Sequence, residues 1–140
     1  MKVGIVFSTF DLFHIGHIKL LEFAKSKCNY LIVGLHIDPS IERNFKNKPV
    51  QSIVERYVQL DCCKNVDEII PYSNEKELLD ILKTFKIDLT VVGEEYKNNN
   101  FTHKKYCINN NIKIYYNKRN HDFSSSLLRK KIMQLELDKL

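Results

Sequence analysis

The sequence predicts an α/β fold: a parallel sheet of about five strands with helices on both faces. Two observations carry that expectation. Short β-branched apolar runs recur along the chain, and each is followed by a stretch whose apolar residues repeat at helical spacing. An order of this kind closes as a parallel sheet packed on both sides, with right-handed crossovers between strands. The bulk composition agrees. The chain has 140 residues, 44% of them apolar and 28% charged, which reads as one domain spanning 1–140. A chain of this size buries roughly two-thirds of its unfolded surface, so it needs no disulfide or metal to fold.

Each element has its own signal. Lys2 to Phe7 is short, β-branched and bounded by Ser8 and Thr9, hence a strand. From Gly16 to Lys27 the residues Ile18, Leu20, Leu21 and Ala24 recur at helical spacing. Tyr30 to His36 is a second buried-strand run, and the polar stretch from Asp38 to Pro49 is a loop. Ser52 to Cys63 is helical, with Ile53, Tyr57 and Leu60 on one face; Asp67 to Ile70 is a strand ending at Pro71. Asn74 to Phe85 is helical, and Leu89 to Val92 is a strand terminated by Gly93. After a polar loop to Phe101, a short helix is predicted over Thr102 to Asn109 and a strand over Lys113 to Tyr116. The last helix begins near Ser124 or Ser125, either of which can cap its free amides. The whole is a three-layer, Rossmann-like arrangement, and no repeat or linker interrupts it.

Several classes are excluded. Four glycines and three prolines are too few for a collagen-like or low-complexity chain. No apolar run approaches the ~20 residues of a membrane span, and the N-terminal apolar run reaches Asp11 too soon for a signal peptide. Cys28, Cys62, Cys63 and Cys107 form no C-x-x-C pair. They read as free thiols of a reducing, cytoplasmic compartment. The net charge of +5 fits a polyanion surface, a phosphorylated small ligand or plain solubilising charge. Lys and Arg are spread along the whole chain, which disfavours a nucleic-acid patch.

In parallel sheets, ligands bind outside the carboxyl ends of the strands, so the informative loops are 8–17, 36–49, 93–103 and 117–126. The first runs from Ser8 to His17 into a helix, where free amides and the helix dipole favour phosphate. His14 and His17 are three apart and fall on one side of a first turn, with Gly16 leaving room between them. Two imidazoles so placed can donate to phosphate oxygens. Read alone, one could equally be a cap and the other a core residue, or the pair could ligate a metal.

Thr9-Phe10-Asp11, His14, Gly16 and His17 resemble the G-[TS]-F-D-x-x-H-x-G-H signature of nucleotidyltransferases related to cytidylyltransferases, with Ser8 standing where the signature has Gly. Further segments are similar to the small bacterial glycerol-3-phosphate cytidylyltransferases: His36-Ile37-Asp38, Lys46-x-Lys48 followed by Ser52 and Arg56, Val92-Gly93-Glu94-Glu95-Tyr96, and Arg119 to Ser126. The likeness covers residues 2 to about 132.

That resemblance implies transfer of a nucleotidyl group from CTP to a small phosphorylated acceptor. The acceptor it favours is glycerol 3-phosphate, giving CDP-glycerol and pyrophosphate; relatives with the same signature use ATP or take sugar phosphates, phosphocholine, phosphoethanolamine or FMN. It implies Mg²⁺ bound with the triphosphate and no metal ligands from protein side chains. It also implies a homodimer, with neither nucleic acid nor membrane insertion involved. His14, His17, Lys46, Lys48 and Arg119 become the catalytic candidates. Ser8, Thr9, Phe10, Asp11, Gly16, Gly93, Glu94, Ser124, Ser125 and Ser126 become the nucleotide contacts. Lys46, Asp38, Arg56 and Tyr96 become the acceptor contacts. Taken singly, the lysines are ordinary loop charges, and Arg56 could instead hold its own loop through an acid such as Glu55 or Asp38.

Overall fold

The structure, a computed structural model, describes residues 1–140. Five parallel strands form one sheet in the order β3-β2-β1-β4-β5: β1 Val3–Ser8, β2 Tyr30–His36, β3 Glu68–Tyr72, β4 Leu89–Gly93 and β5 Lys113–Asn117. Five helices intervene: α1 Ile15–Ser26, α2 Ile53–Asp61, α3 Glu75–Thr84, α4 Lys104–Asn109 and α5 Ser125–Leu137. A strand's side chains alternate between faces, and the two cores show this alternation directly. Val6, Leu31, Val33 and Leu35 face one side with Leu21 and Ala24 of α1 and Leu60 of α2. Ile5 and Ile32 face the other with Leu78, Ile81 and Leu82 of α3 and Cys107 of α4. The predicted three-layer sheet with helices on both faces is therefore the observed one.

Strand order reverses at β1, which pairs with β2 on one side and β4 on the other. This is the switch point at which parallel sheets open a crevice. Two differences from the sequence expectation have physical reasons. β3 runs through Pro71 to Tyr72 rather than stopping before the proline, because β3 is an edge strand and the missing amide faces no partner. The segment after β4 is not wholly irregular: Glu94–Tyr96 makes a single 3-10 turn. The cap of α5 is Ser124, whose hydroxyl accepts from the amide of Leu127 at 3.1 Å. Gly34 of β2 leaves the space filled by the ring of Phe7, since a Cβ there would lie 2.3 Å from that ring. All four cysteines are free thiols, and no helix is long and apolar enough to cross a membrane.

Candidate active site

The loop after β1 is bent by two non-glycine residues in the left-handed region, Phe10 at φ 52° and Leu12 at φ 51°. Such residues cost on the order of 1–3 kcal/mol each and persist where the surroundings over-determine them. Here the cross-links are explicit. The carboxylate of Asp11 accepts from the amides of Val50 and Gln51, both at 2.9 Å, and from Arg129 Nη2 at 3.0 Å. The amide of Leu12 donates to Gln51 Oε1 at 2.8 Å, and Ser125 Oγ donates to the carbonyl of Asp11 at 2.7 Å. The ring of Phe10 is buried in the core. One strained turn thus ties β1 to the start of α2 and the start of α5.

The turn delivers His14 and His17 to the first turn of α1, where they cap the helix reciprocally. His14 Nδ1 accepts from the amide of Gly16 at 2.9 Å, and His17 Nδ1 accepts from the amide of His14 at 3.2 Å. A backbone amide can only donate, so both Nδ1 atoms are unprotonated and each neutral ring carries its hydrogen on Nε2. The cap therefore fixes two tautomers at once. The rings lie 3.9 Å apart between centroids. Burial, with the neighbouring His14 second, pushes His17 down to about 3. His14 is also lowered, first by burial and then by the charges of Arg119 and His121. Both are neutral Nε2–H donors at neutral pH. Gly16 is required here for space: a Cβ would sit 2.7 Å from His14 Cε1 and 2.8 Å from His121 Cε1.

These donors open onto a cleft of about 230 Å³, closed on its far side by Arg119, His121, Ser124 and Ser125. Arg119 Nη2 donates to the carbonyl of Phe123 at 2.5 Å, and the amide of Phe123 donates to His121 Nδ1 at 3.1 Å, so the loop before α5 is folded on itself. The N-termini of α1 and α5 both end at this cleft. Their dipoles and the arginine make it electropositive and suited to a polyphosphate. No group of three or more His, Cys, Asp or Glu residues converges to hold a metal ion.

Gly93 divides this cleft from a larger one of about 400 Å³ that lies across the carboxyl ends of β1, β2, β3 and β4. Ser8, Thr9, Lys46 and Tyr96 line the larger cleft. Its wall is a run of rings. His36 stacks on Tyr72 at 4.6 Å, Tyr72 meets Phe7 at 5.7 Å, Phe7 meets His103 at 5.0 Å, and His103 meets Phe101 at 4.8 Å. Tyr96 completes it at 5.8 Å from Phe101. Arg43 is ion-paired with Glu75 beside this wall.

The structure brings together most of the sequence-derived candidates, but not all in the expected positions. His14, Gly16, His17, Gly93, Arg119, Ser124 and Ser125 meet at the smaller cleft. Glu94 lies at its edge and accepts from the amide of Arg119 at 3.3 Å. Six expectations need correction. Phe10 is core rather than a nucleotide-facing side chain, and Asp11 is spent on holding the turn and Arg129.

Arg56 is 2% exposed, and its guanidinium donates to the carbonyls of Thr9, His36, Ile37 and Gln51 at 2.7–3.2 Å. It is a brace beneath both loops, held by carbonyls rather than by Glu55 or Asp38, and not an acceptor contact. Asp38 is turned onto the amide and hydroxyl of Ser40, and that bond lowers its carboxyl below the usual range. Lys48 and Ser126 line neither cleft; the carbonyl of Lys48 receives Arg129 instead.

Reading the sequence missed His103 and Arg43 as cleft-lining residues, and singled out no role for His121, Glu95 and His36 inside the matched segments. Arg43 stands in the loop after β2 and His103 just before α4, and only the fold brings them to one cleft.

A switch-point crevice with two fixed imidazole donors, an arginine and two helix N-termini defines a phosphate-binding α/β protein of the nucleotidyl-transfer kind. The particular family is then plain. A family model described as cytidylyltransferase-like matches residues 5–131, and the chain belongs to that family. It is 34% identical over 135 residues to the glycerol-3-phosphate cytidylyltransferase of Bacillus spizizenii, a match covering 96% of this chain and 100% of that one. It is 37% identical over 90 residues to the ethanolamine-phosphate cytidylyltransferase of Dictyostelium discoideum; that match covers 61% of this chain and 24% of the much longer relative. Among solved structures, the lipopolysaccharide core biosynthesis protein of Thermoplasma volcanium has the same fold. It superposes with a TM-score of 0.69 at 22% identity, over 87% of this chain and 99% of that one.

Proposed function

We propose that the chain transfers the cytidylyl group of CTP to a phosphorylated alcohol, glycerol 3-phosphate in the first instance, releasing pyrophosphate and forming CDP-glycerol. The observation that carries the reading is the reciprocal histidine cap, which aims two neutral Nε2–H donors into a cleft that also holds Arg119 and the N-terminus of α5. The B. spizizenii relative, matched along its whole length, supports CTP as donor and glycerol 3-phosphate as acceptor.

In this reading an acceptor phosphate oxygen attacks the α-phosphorus in line, and pyrophosphate leaves without a covalent enzyme intermediate. Catalysis is alignment and charge stabilisation. His14 and His17 donate to the α- and β-phosphate oxygens as negative charge grows on the leaving group. Arg119 and the first amides of α5 hold the β- and γ-phosphates. Lys46, exposed at the rim of the larger cleft, neutralises the acceptor phosphate as it approaches the triphosphate. Mg²⁺, expected with the triphosphate, would be held mainly by the substrate and would supply charge neutralisation as the phosphates approach.

We also propose a cytoplasmic homodimer. α5 buries none of its 13 residues and exposes Leu127, Ile132 and Met133 by half or more, apolar surface that a second copy would cover. Light scattering at micromolar concentration should give twice the chain mass. The reaction is tested by pyrophosphate release with each of four nucleoside triphosphates, with and without glycerol 3-phosphate. Turnover should need both CTP and the acceptor; preference for ATP, or hydrolysis of CTP alone, would overturn the reading.

A further inference from the structure

We propose that His121 is a third Nε2–H donor of the smaller cleft, and that it holds the pyrophosphate end of the nucleotide. This role rests on the reaction proposed above and adds a substrate contact to it. Three observations carry it: the tautomer of the ring, its place over Gly16, and its tie to the residue that also positions Arg119.

The tautomer follows from one hydrogen bond. The amide of Phe123 donates to His121 Nδ1 at 3.1 Å. An amide can only donate, so Nδ1 carries no hydrogen and the ring bears it on Nε2. His14 and His17 are set by the same device. The ring of Phe123 lies 5.4 Å from the imidazole between centroids, which limits its rotation.

Gly16 locates the donor. A Cβ built on Gly16 would lie 2.7 Å from His14 Cε1 and 2.8 Å from His121 Cε1. The two rings therefore meet over one glycine in the first turn of α1. Nε2 is one bond from Cε1, so both donors stand beside that glycine, which lines the cleft with them. His121 is half-buried, and its Nε2 is neither paired within the chain nor sealed from solvent.

Phe123 decides which phosphate the ring serves. Its carbonyl accepts from Arg119 and its amide donates to His121, one residue ahead of Ser124, the cap of α5. His121 thus works beside Arg119 and the free amides of α5, the end of the cleft given above to the β- and γ-phosphates. Charge grows there as pyrophosphate leaves, and a donor fixed in advance stabilises it.

Three imidazoles around one cleft could instead ligate a metal ion. Ligation through Nε2 needs a lone pair on that nitrogen and the hydrogen on Nδ1. In all three rings Nδ1 already accepts from an amide. The rings therefore present hydrogens and select an anion.

A histidine that only shaped its loop would matter through Nδ1 alone, and two variants separate the nitrogens. His121→Asn keeps an acceptor for the amide two residues on, as asparagine does in an Asx turn, and loses the Nε2 donor. His121→Gln keeps an amide donor near the Nε2 position and loses the Nδ1 acceptor.

The test is pyrophosphate release with CTP and glycerol 3-phosphate, beside calorimetric titration with pyrophosphate and with CMP. His121→Asn should lower kcat by about tenfold or more and leave KM for glycerol 3-phosphate within about threefold. It should weaken pyrophosphate binding about tenfold and leave CMP binding within about threefold. His121→Gln should recover kcat to within about threefold of the wild type. Wild-type kcat in His121→Asn, unchanged pyrophosphate binding by that variant, or a His121→Gln no faster than His121→Asn would overturn the role. If the wild type transfers nothing from CTP to any acceptor, the reaction itself fails, and the titration then reads the residue alone. Pyrophosphate binding weakened in His121→Asn and restored in His121→Gln supports the donor. No binding by the wild type, or equal binding by all three proteins, overturns it.

Discussion

The two clefts flanking Gly93 are built on opposite plans. In the smaller cleft, polar groups are fixed by hydrogen bonds to residues close by in the chain: His14 and His17 cap the helix they lead, and Arg119 and His121 are tied to Phe123 four and two residues away. In the ring-lined cleft, polar groups come from distant elements and two of them lack partners altogether. A site for an invariant group such as triphosphate gains from donors set in advance, because they need no reorganisation during reaction. A site for a variable body gains from apolar faces and a few polar atoms that the ligand itself completes. The B. spizizenii and D. discoideum relatives carry names that share the cytidylyl group and differ in the acceptor.

The strongest way to break this comparison is at the fixed donors. His17→Ala should lower kcat by about 10²–10³-fold, the range for loss of one oxyanion donor. It also removes one arm of the cap, at a further cost of about 1 kcal/mol in stability. Stopped-assay kinetics and thermal melting separate the two effects, and a variant with wild-type kcat would remove the histidine from the mechanism.

Next in size is the brace beneath both clefts. Arg56→Met leaves four carbonyls without their donor. With each orphaned buried acceptor costing about 1–3 kcal/mol, urea unfolding should show a loss of at least ~3 kcal/mol. A stable variant with only a raised acceptor KM would restore Arg56 to the substrate site.

Acid tests both clefts together. His17 is pushed down to about 3 and His103 to about 4, in each case by burial first. Both are neutral in the fold, whereas the unfolded chain protonates them below about 6.5. Their contribution is therefore complete above that pH and is lost as the pH falls towards the folded values, at up to about 1.4 kcal/mol per pH unit for each ring. Denaturation midpoints measured from pH 7 to 4.5 should fall steadily. A flat profile would mean that neither ring is held neutral. The smallest expected effect is Ser124→Ala, which removes the α5 cap and should cost about 1 kcal/mol, roughly 4 °C in melting temperature.

The sheet was legible because strand runs such as Tyr30–His36 are apolar throughout, as strands buried on both faces must be. The phosphate cleft was legible because its residues lie within two short segments, each leading into a helix. Three things were hidden. Arg56 and Arg119 look alike as sequence, and only the fold shows that one is enclosed by carbonyls and the other exposed at a helix start. The aspartate and phenylalanine of the signature look like ligand contacts, yet they serve a left-handed turn that no local propensity announces. The ring-lined cleft was legible only at Ser8, Thr9, Lys46 and Tyr96; its ring wall had no local signal, because His36 reaches Tyr72 through strand register and His103 reaches Phe7 across the sheet.

His14 and His17 are at once the cap of α1 and a matched pair of neutral Nε2–H donors, a dual role open to measurement. It is tested most directly by long-range ¹H–¹⁵N correlation of the imidazole nitrogens at neutral pH. The account predicts unprotonated Nδ1 and protonated Nε2 for both His14 and His17, with His17 holding that form down to about pH 4. An imidazolium signal from His17 near pH 6, or a hydrogen on either Nδ1, would contradict it.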